Sequence, residues 1–321
     1  MRDDREIIGL GLAEMSFLTF AEKKRVFERV DDIHHLAKMS VSDISTMIER
    51  VTRARTWDGA GLERRVELSR RIIGRYGIRL VFHFDAEYPE KLASLYDPPF
   101  LLFVRGDVDC LHRRCVSVVG TRKPSREGVD GAFRFAEDAA ADGMTVVSGL
   151  AFGIDACAHQ GALRGMARDE KVGKTAAVVA GGVDEIYPVA NRRIAAAIME
   201  KGGAVLSEYL PGTTPEKWRF VQRNRLIAGL SEATVVVDAP EHSGALITAQ
   251  YALDMGRDVY IHRVSQERAE LGQAERFAPV LKFVADGAPV VADYEEYVAL
   301  RDYPPEEWYG IEQASLSGME G

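Results

Sequence analysis

The stretch Gly120-Thr121-Arg122-Lys123-Pro124-Ser125 joins a glycine, which lets backbone approach a ligand closely, to a hydroxyl and a guanidinium that donate to phosphate. A helix expected from Gly128 would add N-terminal amides that favour an anion. Ser148-Gly149-Leu150-Ala151-Phe152-Gly153-Ile154-Asp155 is a second glycine-bearing loop ahead of a helix, and His242-Ser243-Gly244, ahead of a helix from Ala245, is a third. Gly181-Gly182 and Ser207-Glu208 end two further strand-like runs. One such loop alone reads as a tight turn. Several donor-rich loops along one sheet edge read as an anion site.

The segment Lys217-Trp218-Arg219-Phe220-Val221-Gln222-Arg223-Asn224-Arg225 carries four cations and two aromatics, opposed by Glu216 alone. Cations neutralise phosphates, and aromatic rings stack bases of any sequence. Helical spacing cannot put all of these residues on one face, so some have other work. Arg223 and Arg225 have two readings, phosphate contact or a structural ion pair with Asp238 or Glu208. Trp218 reads first as a core or interface residue. Lys217 and Phe220 fit packing and ligand contact equally well.

Other chemistries find little support. Gly173-Lys174-Thr175 resembles the end of a phosphate-binding P-loop, but Arg168 stands where the first glycine is needed and a strand follows where a helix should. The first strand–helix turn lacks GxGxxG, which lowers a dinucleotide reading. HExxH and GxSxG are absent. Asp155 and His159, four apart, could form an acid/base pair, but a helix-start carboxylate and a buried, hydrogen-bonded imidazole fit better. No catalytic residue, metal site or cofactor is expected.

These loops need a scaffold, and the hydrophobic pattern supplies one. Apolar, β-branched runs at 115–119, 145–147, 175–180, 204–206, 234–237 and 259–261 alternate with helical stretches at 128–141, 155–167, 192–201, 216–229 and 245–255. That alternation predicts a parallel sheet covered on both faces, in a doubly wound, Rossmann-like α/β architecture whose ligands sit beyond the carboxyl ends of the strands. Residues 1–76 have helical periodicity and predict a small all-helical domain, with Ser40 and Ser42 as candidate caps. Its arginines between Arg50 and Arg75 alternate with acids, the pattern of a solvated, ion-paired helix face. Residues 77–112 predict a connecting segment with strands near 78–84 and 100–104, packed on the core domain of residues 113–292. Residues 293–321 predict an acidic helix and tail.

The bulk numbers fit this division. The chain has 321 residues and a net charge of −8, with 46% hydrophobic and 28% charged residues, which suits two or more packed domains and excludes a histone-like basic coat. A local basic groove remains compatible with that charge. Cys110, Cys115 and Cys157 have no zinc or CxxC spacing and read as small buried residues in a reducing cytosol. With no membrane-length apolar run and no apolar leader, a soluble cytoplasmic protein is expected.

Taken together, several motifs resemble the DprA family, also called Smf. They are Val118-Val119-Gly120-Thr121-Arg122, Val147 to Asp155 with His159, Phe220 to Ser231 (FVQRNRLIAGLS), and Ser243-Gly244-Ala245-Leu246-Ile247-Thr248-Ala249 with Gly256-Arg257. The resemblance spans roughly residues 85–262, and its motifs are long and ordered. It implies an extended Rossmann-like fold that binds single-stranded DNA without catalysis, protects incoming DNA in natural transformation, helps load the RecA recombinase and forms homodimers. By motif, Arg122 would contact phosphate, Phe220 would stack a base, and Lys217 would line the same pocket. Gly149, Gly153 and Ser243-Gly244 would offer backbone donors. With these, Gly120, Thr121, Ser148, Arg223, Asn224 and Arg225 complete the expected DNA-binding set.

The chain also departs from that pattern. The family's Pro-Gly loop after the strand at 259–261, and its Gly-Thr-Asn-x-Leu-Ile stretch, are replaced by His262-Arg263-Val264-Ser265-Gln266 and Leu271-Gly272-Gln273-Ala274. The Gly-x-Gly hairpin of its N-terminal region is replaced around Ser16-Phe17-Leu18-Thr19, and too few residues remain for a winged-helix domain. Two alternatives therefore accompany the DNA-binding reading. One is a nucleotide-processing enzyme using the glycines and acids of Ala180-Gly181-Gly182-Val183-Asp184-Glu185. The other is a protein-interaction module that keeps the fold.

Overall fold

The computed structural model describes residues 2–52, 57–166 and 173–302. Its N-terminal part consists of helices α1 (Arg2–Glu14), α2 (Phe20–Arg29), α3 (Ile33–Lys38), α4 (Val41–Ile48) and α5 (Leu62–Tyr76). Short polar side chains start three of them by accepting otherwise unpaired amides. Thr19 and Glu22 cap α2 reciprocally, Asp32 caps α3, and Ser40 with Asp43 forms a capping box on α4. Ser40 is thus the cap, and Ser42 lies inside the helix. Gly77 closes α5 in the left-handed region.

The arginines of this part form ion pairs both along the exposed face of α5, where Glu67 meets Arg71 at 3.1 Å and Arg70 at 3.7 Å, and between elements. Arg50 holds Glu22 at 2.6 Å, and Arg65 ties α5 to Glu14 at 2.6 Å and to Asp58 at 3.0 Å. Arg53 and Arg55 lie outside the described residues.

The described residues build one nine-stranded sheet: β1 (Arg79–Phe82), β2 (Leu101–Gly106), β3 (Cys115–Gly120), β4 (Thr145–Ser148), β5 (Lys174–Val178), β6 (Ala204–Ser207), β7 (Ala233–Val237), β8 (Asp258–His262) and β9 (Val290–Val291). The order is β1-β2-β6-β5-β4-β3-β7-β8-β9, and every pair from β6 to β9 is parallel. The expected mostly parallel, doubly wound sheet is therefore present. The segment expected as a connector does more than connect. Its β2 pairs antiparallel with β6, placing Phe103 opposite Ser207, and β1 pairs antiparallel with β2. It extends the sheet because Leu101–Val104 is apolar on both faces and can be covered by helices on each.

Helices α6 (Glu90–Ala93), α7 (Arg126–Ala141), α8 (Ile154–Gly165), α9 (Arg192–Glu200), α10 (Lys217–Gln222), α11 (Asn224–Leu230), α12 (Gly244–Asp254), α13 (Arg263–Arg268), α14 (Ala274–Ala285) and α15 (Tyr294–Asp302) cover the sheet. The helix expected over 216–229 is broken at Arg223. The C-terminal acidic helix is α15, whose Tyr294 and Tyr297 pack on Phe135; residues 303–321 lie outside the described part. One apolar cluster joins the N-terminal helices to the sheet, with Phe82 packed on Phe27 and Gly9 leaving room for that ring. Cys110 and Cys115 are buried and Cys157 half-buried.

Candidate nucleic-acid interface

The carboxyl ends of β3 to β6 converge on one rim. After β3, a Cβ on Gly120 would strike the carbonyl of Val237, so only glycine lets the chain leave the strand here. The loop then folds on itself. Lys123 N donates to Thr121 Oγ1 (3.2 Å), Thr121 O accepts from Ile154 N (3.1 Å), and Ser125 caps α7. These bonds leave Arg122 exposed, with its guanidinium carbon 5.2 Å from the centre of the Phe220 ring, a cation–π distance.

Phe220 lies on α10, beyond the end of β6. Tyr187, from the loop after β5, meets its ring edge-on at 6.0 Å. Lys217 is exposed one turn away on α10, so Arg122 and Lys217 share this rim. Trp218 is 46% exposed, and its indole donates to Glu216 (2.7 Å). Arg219 is committed elsewhere: it lies against the rings of Trp218 and Tyr209 and donates to Thr214 O.

Other expected residues lie behind this surface. Arg223 is only 3% exposed. Its guanidinium donates to Gly149 O (2.6 Å) and to Val178 O, its Nε donates to Asn224 Oδ1 (3.1 Å), and Asp155 stands 3.9 Å away. It is a strut joining the ends of β4 and β5 to α8. Gly149 is needed because a Cβ there would occupy the space of that guanidinium. Burial lowers the Arg223 pKa to about 10, so it stays charged near neutrality, and burial raises that of Asp155.

Asn224 is buried and donates to Gly244 O (3.2 Å), which ties α11 to the start of α12. Arg225 pairs with Glu208, one of the two partners expected from sequence, and donates to Asp97 O (3.0 Å). Ser148 is fully buried and donates to Val118 O (2.7 Å). Ser243 caps α12, and Gly244 beside it is exposed. Gly153 adopts φ +77° against the Thr121 carbonyl. The geometry thus brings Arg122, Phe220 and Lys217 together at the surface and places Ser148, Arg223, Asn224 and Arg225 as internal supports.

Asp155 and His159 do not face each other as an acid/base pair. Asp155 accepts from Ala151 N (3.3 Å), and His159 pairs with Thr175 Oγ1 (2.7 Å) while burial pushes its pKa to about 3. Asp184, the acid of the nucleotide-enzyme reading, accepts from Gly212 N (2.9 Å). In the segment that replaces the family's Pro-Gly loop, α13 sends Arg268 to both oxygens of Asp238 (2.9 Å each), and Asp238 also accepts from Ser125 N. Asp238 thereby links α13 and the start of α7 to the end of β7. Sequence reasoning passed over Tyr187, Phe152 and Asn191. The only local signal was an aromatic inside each of two glycine-bearing loops.

A doubly wound sheet whose strand-end rim carries cations and exposed aromatics defines a Rossmann-like α/β protein with a candidate anion site. A family model described as DNA recombination-mediator protein A matches residues 79–300, and the chain belongs to that family. DNA processing protein DprA of Bacillus subtilis is 38% identical over 232 residues, covering 70% of this chain and 75% of that protein. Protein Smf of Borreliella burgdorferi is 34% identical over 253 residues, covering 79% and 78%. The crystal structure of DprA from Streptococcus pneumoniae superposes with a TM-score of 0.68 at 30% identity, over 90% of this chain and 95% of that one. DNA processing protein A of Helicobacter pylori, described for its single-stranded DNA binding mode, shares the fold, with a TM-score of 0.60 at 24% identity over 71% of this chain and 98% of that one. Among the described residues, no helix is long and apolar enough to cross a membrane.

Proposed function

We propose that this chain binds single-stranded DNA along the β3–β6 rim as a cytoplasmic, non-catalytic recombination mediator, protecting DNA taken up in natural transformation and helping to load RecA. The observation that carries the reading is the Arg122 guanidinium lying over Phe220, one helical turn from Lys217. Arg122 and Lys217 neutralise phosphates, Phe220 stacks a base, and Gly244 with the amides at the start of α12 offers further donors. Arg223, Asn224, Arg225 and Ser148 serve by holding the loops in place. The relatives' names, DNA processing protein and recombination mediator, support a role on DNA. The single-strand binding described for the Helicobacter protein supports the choice of ligand. A homodimer would set two rims on one strand and raise its effective affinity.

The test is fluorescence anisotropy with single- and double-stranded oligonucleotides at two salt concentrations. The wild type should prefer single strands and bind less tightly as salt rises. Arg122→Ala with Lys217→Ala should remove most of the affinity and flatten the slope of log K against log salt by about 1.4, ~0.7 for each phosphate no longer neutralised. Unchanged binding by that folded double variant would refute the site. Capture of RecA by the chain tests the loading role separately.

A further inference from the structure

We propose that Phe152 is a second nucleobase platform, stacking a base beside the phosphate held by Arg122; this rests on the single-stranded DNA reading above. Phe152 sits at the tip of the loop between β4 and α8 and is 50% exposed, while Leu150 and Ala151 before it are buried. Among the described residues its ring meets no aromatic or cationic partner.

The loop that presents it is held from every side. Asn191 Nδ2 donates to the carbonyls of Leu150 (2.9 Å) and Ala151 (3.1 Å). Ala151 N donates to Asp155, and Ile154 N donates to Thr121 O. Leu150 is set at φ +57° and Gly153 at φ +77°. A Cβ on Gly153 would lie 2.8 Å from the Cα of Arg122, so the loop abuts the Arg122 backbone directly. Phe220 lies under the guanidinium of the same arginine. The loop that carries Phe152 therefore abuts the backbone of Arg122, and Phe220 lies at the charged tip of the same residue.

An exposed ring on mobile backbone would lose entropy on stacking. Here the backbone is already ordered, so the ring is pre-organised for a flat apolar ligand. The occupant that matches a π-face next to a phosphate site is a base of the strand already held there. Stacking accepts every base, so the platform adds affinity without sequence preference.

The experiment compares wild type, Phe152→Ala, Phe152→Trp and Phe152→Leu by anisotropy. The probes are an oligo-dT strand and a strand of the same length carrying abasic residues, with matched melting temperatures as the folding control. Phe152→Ala should weaken oligo-dT binding roughly 5- to 150-fold. The salt slope should stay that of the wild type, because a phenyl ring neutralises no phosphate. Phe152→Trp should keep or tighten binding, Phe152→Leu should resemble the alanine variant, and on the abasic strand the four proteins should converge. If the wild type binds oligo-dT and Phe152→Ala or Phe152→Leu binds it equally well, the platform is overturned and the strand-binding reading stands. If the wild type binds no single strand, that reading falls and the platform with it.

Discussion

Arg223 shows how the same side chain can serve a ligand or a fold. In sequence it sits among three other cations and looks like one more phosphate contact. In the fold it is enclosed, bonded to two carbonyls from adjacent strand ends and to Asn224. Arg223→Met should remove the donor to those carbonyls and the cation beside Asp155 and cost about 3–5 kcal/mol, as breaking a buried pair does. Urea unfolding, with a lower midpoint and an unchanged m-value, is the measurement that checks it. Two buried imidazoles set a pH dependence at the same scale. His159 and His262 are held neutral by burial, with pKa values near 3 and 4. An unfolded imidazole takes its proton near 6.5. Between about pH 4 and 6.5 these two imidazoles bind more protons in the unfolded chain than in the folded one, so the stability they contribute falls as the pH drops through that window. Each histidine contributes up to about 1.4 kcal/mol per pH unit. Thermal melts from pH 7.5 to 4.5 should show that decline, and His262→Phe should make it shallower.

At the scale of elements, α10 carries the exposed Lys217 and Trp218, and the buried α11 behind it is tied to the N-terminal helices. Arg225 of α11 pairs with Glu208 at the end of β6 and donates to Asp97 O, and the Asp97 carboxylate accepts from Phe20 N at the start of α2 (2.8 Å). Lys23 of α2 lines the same small polar cavity. Burial pushes the Glu208 pKa up and that of Lys23 down, each opposed by the other's charge. Glu208→Ala would leave Arg225 and Lys23 without their anion. It should cost about 3–5 kcal/mol and weaken DNA binding through a displaced α10. Glu208→Gln, which keeps an acceptor, should cost less. Calorimetry of both variants, with limited proteolysis between residues 1–76 and the sheet, checks the order.

At the scale of the whole molecule, a net charge of −8 must coexist with the proposed polyanion-binding rim. The two are compatible because phosphate contacts act locally, within about 8 Å at physiological ionic strength. The same screening predicts that association with single strands slows steeply with added salt while melting temperature changes little. Stopped-flow binding and melts at matched ionic strengths separate the two effects. The sheet also reaches further than the strand–helix alternation implies. β1 and β2 carry it past β6, so the N-terminal helices pack on the sheet itself.

Strand and helix identity in the core was legible because parallel strands covered on both faces must be continuously apolar and their helices must alternate with them. The long motifs around Arg122, Phe220 and Ser243 marked the family and the edge of the sheet where a ligand would sit. Which cations face outward was decided only by tertiary structure. In a helix Phe220 lies about 60° from Lys217 and Arg223 about 60° further round, and a break at Arg223 together with the space left by Gly149 after β4 turns the last of them inward. The exposure of Phe152 and Tyr187 follows from how four separate loops pack beyond the strand ends, a relation between residues distant in the chain that spacing along it does not encode.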